Sequence, residues 1–404
     1  MSCHHSSNRN GDEKQTGFVN IQEIQLIDEL KGKGLFAKKN INKGDVIFEE
    51  TPIVSTQFLW NELYKYKACE YCMKSLETAE EQAWRLSTNP HLSLPHPECD
   101  ITDQTPYVDC PGCQVTYCCE LCRKMACDEY HQVLCMGPSR LSEDNDHPLA
   151  RLQETWRNIH YPPETSSIML IVKMVALVKQ AKDKSSVLQK FSQFVKNTVN
   201  EEDEIVHKLL GKQFQEQLEL LRQMTADFIF EENVSKWFTP EGFRSLFALI
   251  GTNGQGIGSS SISVWVKNCE DLAIPDEEKE QLDAFIDQLY EDMDKVSGTF
   301  LDCEGSGLYL LQSTCNHSCI PNAEITFPNN NHKLVLVAKE NISQGEEICT
   351  CYLSECDVTR SRHSRQKFLK ENYLFTCGCV KCLSEADQED VTSEEDEEEE
   401  DDME

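Results

Sequence analysis

Cysteine and histidine recur in this 404-residue chain at spacings that hold metal ions. Cys69-x2-Cys72, Cys110-x2-Cys113, Cys118-x3-Cys122 and His131-x3-Cys135 supply eight donors in four close pairs. A tetrahedral zinc takes four such donors, and one turn of chain delivers two of them to adjacent corners, so eight donors make two sites. Buried thiols can also act as small apolar side chains, but so many paired spacings favour metal. Cys377-x-Cys379-x2-Cys382 offers three further donors in six residues and needs a fourth from elsewhere. Cys319, within CNHSCIPN, is preferred, and spacing alone leaves Cys315, Cys349, Cys351 and Cys356 open as competitors. Three zinc ions are therefore expected. Cys99, Cys119 and Cys127 read as ordinary thiols, and His91 and His96 as exposed loop residues.

Composition narrows the class. Twenty-one cysteines in a chain whose first residues, MSCHHSSNRNGDEKQ, contain no apolar leader are better explained by thiolate ligation than by disulfides. No run approaches the roughly 20 apolar residues of a membrane span, so the chain is expected to be soluble, unsecreted, and nuclear or cytoplasmic. The formal charge is −32; residues 385–404 carry 14 acidic side chains and no basic one, which leaves −18 for the rest. An acidic body disfavours direct binding to nucleic acid and favours basic, lysine-rich partners.

The elements that position these residues can be read from patterning. Short β-branched runs at Ile21–Ile27 and Val46–Val54, punctuated by glycines in GKGLFA and NKGD, predict strands and turns. Residues 148–300 read as mostly helix, with Leu282, Phe285, Ile286, Leu289, Tyr290 and Met293 at three- and four-residue steps. Such stripes are core faces before they are grooves. Thr239-Pro240 predicts a helix start. After Gly307 the chain returns to strand-like runs, and VTSEEDEEEEDDME has the composition of a solvated tail.

Four segments then carry a family resemblance: GKGLFA at 32–37, NHSCIPNA at 316–323, GEEICTCY at 345–352 and YLFTCGCVKC at 373–382. Their order resembles that of SET lysine methyltransferases. The paired zinc ligands, with Tyr117 before Cys118, resemble a MYND zinc finger placed between the first and second SET segments. The whole is similar to the SET and MYND domain-containing lysine methyltransferases, most of all to a branch without a large C-terminal helical domain. The resemblance implies an α+β, β-rich SET fold with pseudoknot-like threading, interrupted by the MYND module and a helical insert and closed by a post-SET zinc site. The expected segments are a flexible terminus at 1–19, SET at 20–67, MYND at 68–136, helical linker and insert at 137–300, SET core at 301–352, post-SET at 353–384 and an acidic tail at 385–404. One departure stands out: 37 residues separate Cys72 from Cys110, several times the usual MYND gap.

The resemblance also implies roles. MYND pairs interleave, so Cys69, Cys72, Cys118 and Cys122 would hold one zinc and Cys110, Cys113, His131 and Cys135 another. Cys319 would complete the third site with Cys377, Cys379 and Cys382. Lys31, Gly32, Lys33, Asn253, Asn316, His317 and Phe375 would line S-adenosylmethionine together with Tyr352, the catalytic tyrosine. Lysine has an ordinary pKa near 10.4, so a neutral amine at physiological pH costs about 4 kcal/mol. A dry channel beside a sulfonium reduces that cost, and the remaining requirement is alignment. The expected reaction is methyl transfer to a protein lysine, on histone tails or a non-histone such as a ribosomal protein. The chain is expected to be a monomer with corepressor or chromatin partners. The alternative is a catalytically weak zinc scaffold, against which stand Tyr352, Asn316, His317 and the three post-SET cysteines. RSRHSRQKFLK at 360–370 reads as a solvated helix face.

Overall fold

The computed structural model describes residues 21–28, 32–142, 145–159, 167–195 and 215–387. Lys31, the N-terminal segment 1–19 and the acidic tail from 388 onward lie outside the described residues. Three small sheets carry the catalytic fold. Strands β1 (Gln22–Asp28), β2 (Gly32–Ala37), β12 (Glu347–Thr350) and β9 (Asn316–His317) form the first, in the order β1-β2-β12-β9. Strands β3 (Val46–Glu50), β10 (Ala323–Thr326) and β11 (Leu334–Ala338) form the second, in the order β10-β11-β3. The third has β8 (Cys303–Leu308) between β4 (Val54–Gln57) and β7 (Gly254–Ser259). The expected alternation of glycine turns and β-branched runs is therefore realised, although Gly254–Ser259 reads poorly as a strand because three of its six residues are glycine.

The pairing of β9 with β12 is parallel, setting Asn316 opposite Cys349 and His317 opposite Thr350. The other pairings of these sheets are antiparallel. A parallel neighbour cannot be reached by a tight turn, and here the chain leaves β9, builds the β10–β11 hairpin and re-enters beside β9 at β12. This is the threading that the resemblance implies.

Between the sheet segments lies the zinc module, with β5 (Val108–Asp109), β6 (Thr116–Tyr117) and α2 (Glu120–Ala126), which runs on through a π-helical turn at Cys127–His131. The 37-residue departure has a structural explanation. It contains α1 (Ala79–Ser87), begun by a capping box in which Thr78 and Glu81 satisfy each other's backbone N–H. Helix α1 packs not on the zinc module alone but on the helical insert. Ala79, Ala83 and Leu86 share a core with Ile262, Trp265, Leu282, Leu289 and Met293. These residues come from α8 (Ser261–Glu270) and α9 (Asp276–Ser297). Gln82, fully buried, accepts from the N–H groups of Ser261 and Ile262, and Trp265 Nε1 donates to the His96 carbonyl at 3.1 Å.

The larger core belongs to helices α3 (Pro148–Ile159), α4 (Ile168–Gln180), α5 (Lys184–Phe191), α6 (Gln215–Ile229) and α7 (Pro240–Asn253). Helix α7 starts as the sequence predicts, with Thr239 Oγ1 accepting from Gly242 N–H at 3.0 Å. Residues 168–178 of α4 are all buried, which places α4 at the centre. Its buried cation, Lys173, lies 3.1 Å from Glu70 Oε1 and over the Tyr130 ring, and donates to the Ser55 carbonyl. A buried ammonium is tolerated only when paired and hydrogen-bonded, so this residue locks zinc module, helix and β4 together. Among the described residues no helix is long and apolar enough to cross a membrane.

Trp265→Ala removes the largest side chain shared by insertion and insert. It is expected to cost about 3–5 kcal/mol and to make residues 88–105 protease-sensitive; an unchanged denaturation profile and digest would refute the docking.

Candidate active site and zinc centres

The twelve metal-binding residues gather in the three expected groups. Cys69, Cys72, Cys118 and Cys122 form one; Cys110, Cys113, His131 and Cys135 the second; Cys319, Cys377, Cys379 and Cys382 the third. Within each group the donor atoms all lie within 4.8 Å of one another. A Zn–S bond of about 2.3 Å in a tetrahedron separates neighbouring sulfurs by about 3.8 Å. The sulfur separations match: 3.6 Å for Cys72–Cys118, 3.8 Å for Cys110–Cys135 and 3.6 Å for Cys319–Cys382. His131 turns Nε2 inward, 3.3 Å from Cys110 Sγ and 3.4 Å from Cys113 Sγ. The residues fit zinc in all three places, and the described cysteines are unpaired by disulfides. Cys319 prevails over its competitors because it leaves β9 at the point where the 377–382 turn folds back.

The third centre is built against the segment that carries Tyr352. His317 Nδ1 accepts from the Tyr352 N–H at 2.9 Å, so its hydrogen sits on Nε2, 3.3 Å from Cys319 Sγ. Burial, and then the Arg365 charge, push the His317 pKa down to about 4, which keeps the ring neutral. Arg365 corrects the sequence reading of 360–370 as a solvated face. Helix α10 (Arg362–Tyr373) buries Arg365, whose guanidinium meets Cys382 Sγ at 3.5 Å and Glu385 at 2.6 Å. Four thiolates around one zinc carry a net charge of about −2, so a buried cation beside them is chemically apt. The basic run hid this residue because composition does not say which arginine points inward.

Tyr352 is walled by Tyr373, His317 and Phe375, with ring centroids at 4.8, 5.4 and 6.2 Å. Its hydroxyl donates to the Cys315 carbonyl at 2.6 Å. With its hydrogen held there, the phenol oxygen presents lone pairs to an incoming amine. Burial raises the Tyr352 pKa well above the ordinary tyrosine value, so the hydroxyl stays protonated. Phe375 and His317, both expected to line the cofactor, stand beside Tyr352.

Asn316 uses Nδ2 on the Lys33 carbonyl (3.1 Å) and on Glu347 Oε1 (2.7 Å), joining β9 to the GKG turn. Gly32 has φ +69° and open space where a side chain would start, which lets a ligand approach the backbone. This open glycine, the Asn316 amide and the aromatic wall fit S-adenosylmethionine, which when bound supplies the methyl group and a sulfonium leaving group. Asn253 is committed elsewhere. Its Nδ2 donates to the Val195 and Leu249 carbonyls and its Oδ1 accepts from the Val195 N–H, so its described role is to tie the end of α7 to the 195 loop. Arg365 and Glu347 are the two residues that sequence reasoning missed; Glu347 carried a signal, its place inside GEEICTCY.

Fold and site together define a protein-lysine methyltransferase that takes its methyl group from S-adenosylmethionine. Residues 32–353 match the SET domain. The chain is 61% identical to protein-lysine N-trimethyltransferase SMYD5 of Gallus gallus, over 92% of this chain and 88% of that protein. The proteins of the same name from Danio rerio and Homo sapiens are 58% and 59% identical, over 93% and 92% of this chain and 90% and 89% of theirs. The chain belongs to the SET domain family, in the group that also carries a MYND zinc module.

Metal analysis is expected to give three zinc ions per chain. Cys377→Ser is expected to leave two and to abolish S-adenosylmethionine binding in calorimetry; full binding with two ions would disconnect the third centre from the site.

Proposed function

We propose that this enzyme methylates a lysine within a basic, lysine-rich protein segment, a histone tail or a non-histone such as a ribosomal protein, and carries the product to trimethyllysine. The observation that carries the reading is the Tyr352 hydroxyl, half-buried, protonated and fixed on the Cys315 carbonyl beside an aromatic wall. Such a group orients a neutral amine without competing for its proton, which is what in-line methyl transfer demands. The net charge of −32 supports a basic substrate, and the names of the relatives support trimethylation. In this reading the chain works as a monomer in the nucleus or the cytoplasm, and its zinc module recruits corepressor or chromatin partners rather than nucleic acid.

The test is transfer of labelled methyl from S-adenosylmethionine, with purified histones and a cytosolic extract as separate substrates. Wild type should label a discrete band whose modified peptide gains three methyl groups, and Tyr352→Phe should lose about 100-fold or more in rate, the scale of one removed active-site donor. Binding of the cofactor with no labelled band would leave a zinc scaffold.

The pH profile follows from the same group. A phenol with a raised pKa stays protonated across the assay range, so kcat/KM should rise with pH from 7 to about 10 as the substrate amine loses its proton. A falling limb below pH 9 that disappears in Tyr352→Phe would contradict this.

A further inference from the structure

We propose that Glu347 is a positioning residue for the cofactor: its carboxylate fixes the orientation of the Asn316 amide, leaving Oδ1 as the acceptor for the ammonium group at the methionyl end of S-adenosylmethionine. The proposal rests on the reading that Asn316 touches the cofactor. An amide nitrogen carries two hydrogens, and Asn316 places one on the Lys33 carbonyl and the other on Glu347 Oε1. Both partners are pure acceptors. Turning the amide over would set Oδ1 against two oxygens, so the nitrogen is held toward β2 and β12. Among the described residues Oδ1 has no partner of its own, and a cationic N–H donor is the ligand that suits it.

The brace is built from two strands. Glu347 lies opposite Phe36 in the β12–β2 pairing, and its carbonyl accepts from Asn322 Nδ2 at 2.8 Å, which fixes its backbone. Gly34 makes the space. A Cβ on Gly34 would come within 2.9 Å of Glu347 Oε1 and 2.7 Å of Ile27 Cδ1. The second glycine of the GKG motif therefore serves the carboxylate that aims Asn316. Glu347 itself need not touch the cofactor.

The test measures affinity for S-adenosylmethionine and for S-adenosylhomocysteine by calorimetry on the zinc-loaded full chain, with zinc content and melting checked for each variant. Glu347→Gln, whose amide can donate to Asn316 and so permit the turned-over form, should weaken both ligands about 5- to 10-fold, the scale of one charge-assisted hydrogen bond. Gly34→Ala, which displaces the carboxylate without changing its charge, should do the same. In an Asn316→Ala background neither change should weaken binding further, as a double-mutant cycle requires of residues acting through one another. KM for S-adenosylmethionine should rise by the same factor while kcat and KM for the protein substrate stay within about twofold. Equal weakening in both backgrounds would mean that Glu347 acts by its own charge, and unchanged affinity in folded Glu347→Gln would mean no role; either overturns the proposal. Full affinity in Asn316→Ala would overturn it together with the cofactor role of Asn316, and a wild-type chain that binds neither ligand would overturn the methyltransferase reading itself.

Discussion

Four sulfur atoms, one from residue 319 and three from 377–382, are drawn to within 4.8 Å of one another, and the catalytic end of the molecule depends on that convergence. Without a dication, four thiolates at this distance repel one another strongly. With zinc, the same crowding becomes a source of folding energy, on the order of 10–16 kcal/mol in small peptides. The bond fastens the loop after β9 to the turn after α10, and everything that surrounds Tyr352 hangs from those two pieces. His317 joins them directly, accepting from the Tyr352 backbone and donating toward Cys319. Arg365 supports the site from below through Cys382 and Glu385.

The parallel β9–β12 pairing is the second half of this arrangement. It lays the Asn316–His317 dipeptide along the strand that ends at Tyr352, so residues about 35 positions apart in the chain become neighbours in the sheet. Zinc then keeps the crossing from slipping, because β9 is only two residues long and two residues of ladder cannot hold register alone. The Tyr352 hydroxyl bond to the Cys315 carbonyl adds a further tie across the same crossing.

The two remaining zinc centres act at a distance from this chemistry, yet they are not a detachable appendage. Lys173 binds the module to the central helix and to β4 through Glu70, Tyr130 and Ser55. On the other side the insertion between Cys72 and Cys110 buries α1 against α8 and α9. What looks in the sequence like an overlong loop in a zinc finger is the element that carries the finger onto the helical insert. Helix α1 is amphipathic and short, so its own pattern says that one face is covered without saying by what.

Much of this protein could be read before folding, for a physical reason. Metal ligands must come in close pairs and glycine must stand where the backbone turns or a ligand approaches, so zinc centres and the GKG turn leave local marks. The helix start at Thr239-Pro240 and the stripe of α9 are local for the same reason. Arg365 is one of several cations in a basic run, and only packing chose it for burial beneath Cys382. The family resemblance offers Asn253 as a cofactor residue, and tertiary contacts with Val195 committed its amide to the backbone. Glu347 acquires its partner across 31 residues. The sequence by itself determined which residues could bind zinc, where the helix after Thr239 begins, and, through the family resemblance, that a tyrosine-centred methyl transfer was available. The tertiary structure alone decided which arginine lies beside the third centre and which carboxylate aims Asn316, because each is a long-range contact that no local spacing encodes.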